Sequence, residues 1–110
     1  MELDCIFCKI IARQFKSDII AENDQVLVIK DIAPKATYHY LILPKKHYKG
    51  IQEASDCSVV CSLVSMARSL SGQNSATTSY RLVINNGYDV GQRVFHLHMH
   101  FLAGSKIPEF

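Results

Sequence analysis

Apolar and polar positions change period several times along this chain. Ile6, Ile10 and Ile11 recur at helical spacing behind Asp4, a residue type that caps helix N-termini, so residues 4–14 are predicted as a short helix. Ile19–Glu22 and Val26–Lys30 are β-branched runs joined by the polar turn Asn23-Asp24, and they predict two paired strands. Pro34 marks a turn, and Tyr38–Leu43 is a third strand closed by Pro44. From 55 to 71, Val60, Leu63, Val64, Ala67 and Leu70 form a helical stripe, with Ser55 as the expected cap and Gly72 as the stop. A polar loop runs from Gly72 to Thr78. Tyr80–Ile84 is a strand ending before the turn pair Asn86-Gly87, and Val94–Leu102 is the last strand. Helix and strand patterns are grouped instead of strictly alternating. The predicted class is therefore α+β, with an antiparallel sheet of about five strands, one short helix and one longer helix.

Length and composition bound this picture. The 110 residues, 48% hydrophobic and 20% charged, suit a single globular domain over 1–110, without repeats or a linker. The opening Met1-Glu2-Leu3-Asp4 carries acid where a signal peptide carries positive charge, and no apolar run reaches the ~20 residues of a bilayer span. A cytoplasmic protein is the expectation. A net charge of +2 is too small to call for nucleic acid or an anionic membrane as partner, and Lys45-Lys46 fits a solvated strand end. Cys5 and Cys8, in Cys-Ile-Phe-Cys, suit half of a metal site, a redox pair or plain packing.

The chemistry concentrates in His96-Leu97-His98-Met99-His100. On a strand, alternate residues share a face, so the three imidazoles would line one side and Leu97, Met99 and Phe101 the core side. Burying three imidazoles in a row requires hydrogen-bond partners for each, which argues for use over filling. Imidazole can ligate a metal, or it can attack phosphorus as a nucleophile. His96 and His100 lie four strand steps apart, roughly 13 Å, so one ion would not take all three. Just upstream, Asn85-Asn86-Gly87 and Gly91-Gln92-Arg93 form a glycine- and amide-rich loop suited to cradling a phosphate.

The run His96-Leu-His-Met-His-Phe-Leu102 resembles the signature of the histidine-triad family, in which three histidines alternate with apolar residues. Gly91-Gln92, Cys5-Ile-Phe-Cys-Lys-Ile10, Asp31-Ile32 and Leu43-Pro-Lys-Lys-His47 match in the family's order, across residues 4–103. The nearest branch looks like Hint, the nucleoside phosphoramidases. The resemblance implies a nucleotide-binding hydrolase acting on purine nucleoside phosphoramidates or related adenylates. His98 would attack the α-phosphorus to form a covalent nucleotidyl-histidine, His100 would contact phosphate and help move a proton, and His39 would support them. Asn85, Gln92 and the backbone at Gly91 would hold phosphate oxygens, Asp31 the ribose hydroxyls, and Ile32 the base. On the residues alone, Asp31 also suits a plain turn before Pro34. By the same resemblance, Cys5, Cys8, His47 and His96 would bind a structural zinc, and the protein would be a homodimer. A rival ligand set is Cys5, Cys8, Cys57 and Cys61, the last two being four apart on the long helix.

Three positions depart from the family pattern. Arg93 replaces the usual Ser or Thr after Gly-Gln, Ile29 replaces an aromatic near the base, and the chain has no tryptophan. Arg93 would either point to solvent or recruit a more negative substrate. That keeps a dinucleoside polyphosphate hydrolase of the Fhit kind in play. A nucleotide-binding module with little turnover, and a hydrolase with an open zinc at His96 and His98, are the remaining alternatives.

Overall fold

The computed structural model describes Glu2 and residues 4–109; Met1 and Leu3 of the acidic opening segment, and Phe110, lie outside the described residues. Five strands form one antiparallel sheet: β1 (Ile19–Glu22), β2 (Val26–Lys30), β3 (Tyr38–Pro44), β4 (Tyr80–Val83) and β5 (Met99–Ala103), in the order β1-β2-β3-β5-β4. Helix α1 (Ile6–Ile11) and helix α2 (Cys57–Ser71) complete the fold, with short 3-10 turns between elements. The expected α+β class is the one observed.

The sheet carries a separate apolar layer on each face, because strand side chains alternate. Toward α2, Val26, Val28, Ile42, Met99 and Phe101 pack with Leu63, Met66, Ala67 and Leu70. Toward α1, Leu27, Ile29, Leu41 and Leu43 pack with Phe7, Cys8 and Ile10. β2 is buried on both faces, which explains its unbroken run of Val and Ile.

Several expectations change at element ends. The short helix is six residues long, and Cys5, not Asp4, caps it: the Cys5 sulfur accepts from the Cys8 N–H at 3.3 Å. Its most buried positions are Phe7, Cys8 and Ile10, whereas Ile6 and Ile11 are only half-buried. Asp56 caps α2 in place of Ser55, accepting from the Ser58 N–H at 2.9 Å. The buried stripe of α2 includes Met66 and leaves Val64 exposed, because the helix lies rotated on the sheet relative to the simplest apolar stripe. Gly72 does end α2, in ordinary right-handed geometry. The last strand begins at Met99 instead of Val94. Residues 94–98 run without ladder pairing, and the Leu97 N–H donates to the Tyr48 carbonyl at 2.7 Å. The alternation of faces survives this: Leu97, Met99 and Phe101 reach the α2 layer, while His96 and His98 turn toward Phe7 of α1.

Candidate functional site

The α1 face of the sheet holds two adjoining centres, joined at His96. In the first, α1 brings Cys5 and Cys8 against His47, just past β3, and against His96. One ligand atom from each of the four lies within 4.8 Å of the others. Cys5 Sγ and His96 Nδ1 are 3.4 Å apart, Cys8 Sγ and His47 Nδ1 3.4 Å, Cys8 Sγ and His96 Nδ1 3.6 Å, and the two Nδ1 atoms 3.1 Å. A tetrahedral zinc with ordinary bond lengths to nitrogen and sulfur spaces its ligands about 3.3–3.8 Å apart. The donor chemistry also fits. His96 Nε2–H donates to the Pro44 carbonyl at 2.8 Å, leaving Nδ1 as a lone pair aimed at the sulfurs. Burial pushes the Cys5 thiol up, and it holds His96 down at about 4, a fully buried imidazole kept neutral. The rival set with Cys57 and Cys61 is not assembled: those residues are exposed on α2, on the other side of the sheet from Cys5 and Cys8.

The second centre is a cleft of about 480 Å³ bounded by α1, the β2–β3 turn and the loop before β5. His39 from β3 and His100 from β5 sit on its floor beside His98. Backbone partners settle each tautomer, because a backbone N–H can only donate and a carbonyl can only accept. His98 Nδ1–H donates to the His96 carbonyl at 2.7 Å, so Nε2 carries a free lone pair. The Lys35 N–H donates to His39 Nδ1 at 3.0 Å, so His39 carries its proton on Nε2 and donates to His100 Nδ1 at 2.8 Å. His100 is thereby left with its own proton on Nε2. Burial holds all three below the usual imidazole range, and His100 is brought down to about 4, with the neighbouring His98 and His39 adding to the effect.

Asp31 makes the turn contact weighed for it and faces His39. Its Oδ1 accepts from the Ala33 N–H at 2.7 Å, a turn contact, and its Oδ2 lies 3.4 Å from His39 Nε2. Ile32 stands 98% exposed at the rim, and Ile29 lines the wall. Gly91 lines the cleft with φ +113°, a conformation that glycine adopts without strain. The Asn85 side chain packs beside it, 3.6 Å from where a Cβ on residue 91 would fall.

Gln92 takes a different place from the one expected of it. Its carboxamide is buried; the oxygen accepts from the Gly87 N–H at 2.8 Å, and the nitrogen donates to the Lys49 carbonyl at 2.7 Å and the Val94 carbonyl at 3.2 Å. With these bonds made, Gln92 braces the loop instead of reaching into the cleft. The N–H groups of Gly91 and Gln92 are likewise spent on the carbonyls of Tyr88 and Gly87. Arg93 is exposed at the cleft mouth, its guanidinium 3.9 Å above the Tyr88 ring and its Nη1 donating to the Tyr88 carbonyl at 2.8 Å.

Sequence patterns gave no site role to Phe7, Lys35 or Tyr88, and marked Pro44 only as a strand end and a member of a family motif. Phe7 stands edge-on to both His96 and His98, with centroids 5.8 and 5.1 Å away. Its position inside Cys-x-x-Cys was the one available signal. Pro44 and Lys35 act through backbone atoms, which leave no mark on residue type.

These features define a small α+β protein with a histidine cluster beside a Cys2His2 cluster, and comparison with known proteins agrees. The family model described as scavenger mRNA decapping enzyme C-terminal binding matches residues 4–109. An uncharacterized HIT-like protein of Synechocystis is 41% identical over 106 residues, covering 94% of this chain and 93% of the relative. Among solved structures, a histidine triad protein from Clostridium difficile superposes with a TM-score of 0.95 at 37% identity, covering 100% of this chain and 98% of the other. A HIT family hydrolase from Clostridium thermocellum gives 0.93 at 36% identity with the same coverage. The chain belongs to the histidine-triad (HIT) family.

Proposed function

We propose that the protein is a nucleotide-binding hydrolase that cleaves purine nucleoside phosphoramidates or related adenylates at the α-phosphorus. The observation that carries this reading is the tautomer pattern. His98 offers a bare Nε2 and His100 an Nε2–H, with ring centroids 5.2 Å apart on one cleft floor. That pairs a nucleophile with a donor for phosphate oxygens or a departing atom. Similar structures of HIT family hydrolases support the general class.

In this reading the base packs on Ile32 and Ile29, Asp31 accepts from the ribose, and Asn85 and the backbone around Gly91 flank the phosphate. His98 Nε2 forms a bond to phosphorus as the phosphorus–nitrogen bond breaks, the electron pair leaving on nitrogen. His100 passes its Nε2 proton to the departing nitrogen in the first step and regains one in the second from the water whose hydroxyl goes to phosphorus. That step breaks the phosphorus–Nε2 bond and returns the electron pair to His98. The products are the nucleoside monophosphate and a free amine.

Cys5, Cys8, His47 and His96 would hold a structural zinc. With all four positions filled by protein, it would tie α1 to the sheet and brace the residue whose carbonyl orients His98. The family resemblance also supports pairing of two copies of the chain.

The test is release of AMP from an adenosine phosphoramidate by the wild type and by His98→Ala, with intact-mass analysis of quenched protein. Turnover, its loss in the variant, and an adenylate adduct confined to the protein carrying His98 are expected. Undiminished turnover by His98→Ala would sink the histidine-nucleophile reading.

A further inference from the structure

A second cavity, of about 500 Å³, adjoins the histidine cleft and shares Ile6, Arg93 and Val94 with it. The nucleoside reading above fills the cleft from its Asp31–Ile32 end, with the phosphate over His98. The rest of a substrate then extends toward the Gly91–Arg93 end, beside which the second cavity lies. That cavity is lined by two cations, Arg93 and Lys49, by the half-exposed ring of Phe95, and by Cys5 and His47 of the Cys2His2 cluster. Among the described residues no carboxylate forms an ion pair with either cation. Glu2 and Asp4 also line the cavity, so its charges are balanced overall. Arg93 is not a loose surface chain. Stacking on Tyr88 and the bonds from Nη1 to two loop carbonyls, at 2.8 and 3.3 Å, hold the guanidinium against its own loop, and Arg93 lines both spaces. Gln92 ties the same loop to the Lys49 carbonyl, so the two cations sit on one braced unit.

We infer that this second cavity is the leaving-group subsite, and that Arg93 with Lys49 selects substrates whose leaving group carries an anionic group. The inference rests on the function proposed above and deepens it. A carboxylate-bearing amine, such as an amino acid linked through nitrogen to the α-phosphorus, and a phosphate-bearing leaving group share the needed chemistry. A planar guanidinium reads either through paired charged hydrogen bonds.

The experiment compares kcat/KM for three adenylates: the phosphoramidate of alanine, the phosphoramidate of alaninamide, which lacks the negative charge, and diadenosine triphosphate. Wild type is expected to favour the alanine compound over the alaninamide compound by about tenfold, the scale of one charge-assisted contact. Arg93→Ser should collapse that ratio toward one, Arg93→Lys should keep part of it, and Lys49→Gln should reduce it. Preference for diadenosine triphosphate over both phosphoramidates, lost in Arg93→Ser, would keep the anionic subsite and assign it to phosphate. A wild-type ratio near one, or a ratio that Arg93→Ser leaves intact, would overturn the inference while the hydrolase reading stands. Absence of turnover with all three compounds would overturn both.

Discussion

At the scale of single residues, the three histidines of the cleft are set in their tautomers by the atoms behind them. A carbonyl behind His98 exposes its lone pair, and an N–H behind His39 passes a proton-bearing face to His100. Replacing His39 with Phe removes the donor to His100 Nδ1. We expect kcat to fall about 10- to 100-fold with KM little changed, the range of a lost acid–base partner, as read by steady-state kinetics. The pH dependence follows from burial. Because the folded-state affinity of His98 for a proton is lowered, its neutral form persists below pH 6.5, where a free imidazole is half protonated. Activity should therefore hold flat into mildly acid solution and drop only below that. Stability runs the same way. His100, at about 4 when folded, is protonated more readily in the unfolded chain, so the unfolded state binds more protons between pH about 6.5 and about 4. Unfolding free energy should decline as pH falls through that window, measurable by urea titration at a series of pH values.

At the scale of elements, α1 is too short to be stable alone. Six residues are held by Phe7, Cys8 and Ile10 on the sheet, and in our reading by a zinc. Chelation with EDTA should lower the melting temperature by about 10 °C or more, since a metal present at a hundred times its Kd contributes about 2.7 kcal/mol. Cys8→Ser should melt at the chelated temperature and show no further fall with EDTA. An unchanged melting curve in calorimetry would remove the metal from the account. On the opposite face, Leu63 of α2 is fully buried against the sheet, and Leu63→Ala should cost about 2–5 kcal/mol without altering the cleft.

At the scale of the whole molecule, the sheet keeps its edges at β1 and β4, and no helix among the described residues is long and apolar enough to cross a membrane. The family resemblance leads us to expect two copies of the 12.4 kDa chain in one particle, a mass that light scattering after size exclusion would read directly. A monomer mass at micromolar concentration would remove the dimer from the proposal.

The sequence by itself determined the strands, the two helices and the alternation that sends His96 and His98 one way and Leu97 and Met99 the other. These depend on local period and side-chain chemistry, both legible in residue order. The resemblance to the histidine-triad family, carried by motifs in order, implied one ligand set of Cys5, Cys8, His47 and His96 and one site of Asp31, Ile32, His39, His98 and His100, where the residues alone left a rival set with Cys57 and Cys61 open. Only the tertiary structure decided which nitrogen of each imidazole is bare, because the partners are backbone atoms such as the Pro44 carbonyl and the Lys35 N–H. Only it turned Gln92 from a phosphate ligand into a loop brace, since the carbonyl of Lys49, 43 residues away in the chain, claims its amide. And only it set Arg93 on Tyr88, lining two cavities, a position fixed by how the loop closes over the sheet.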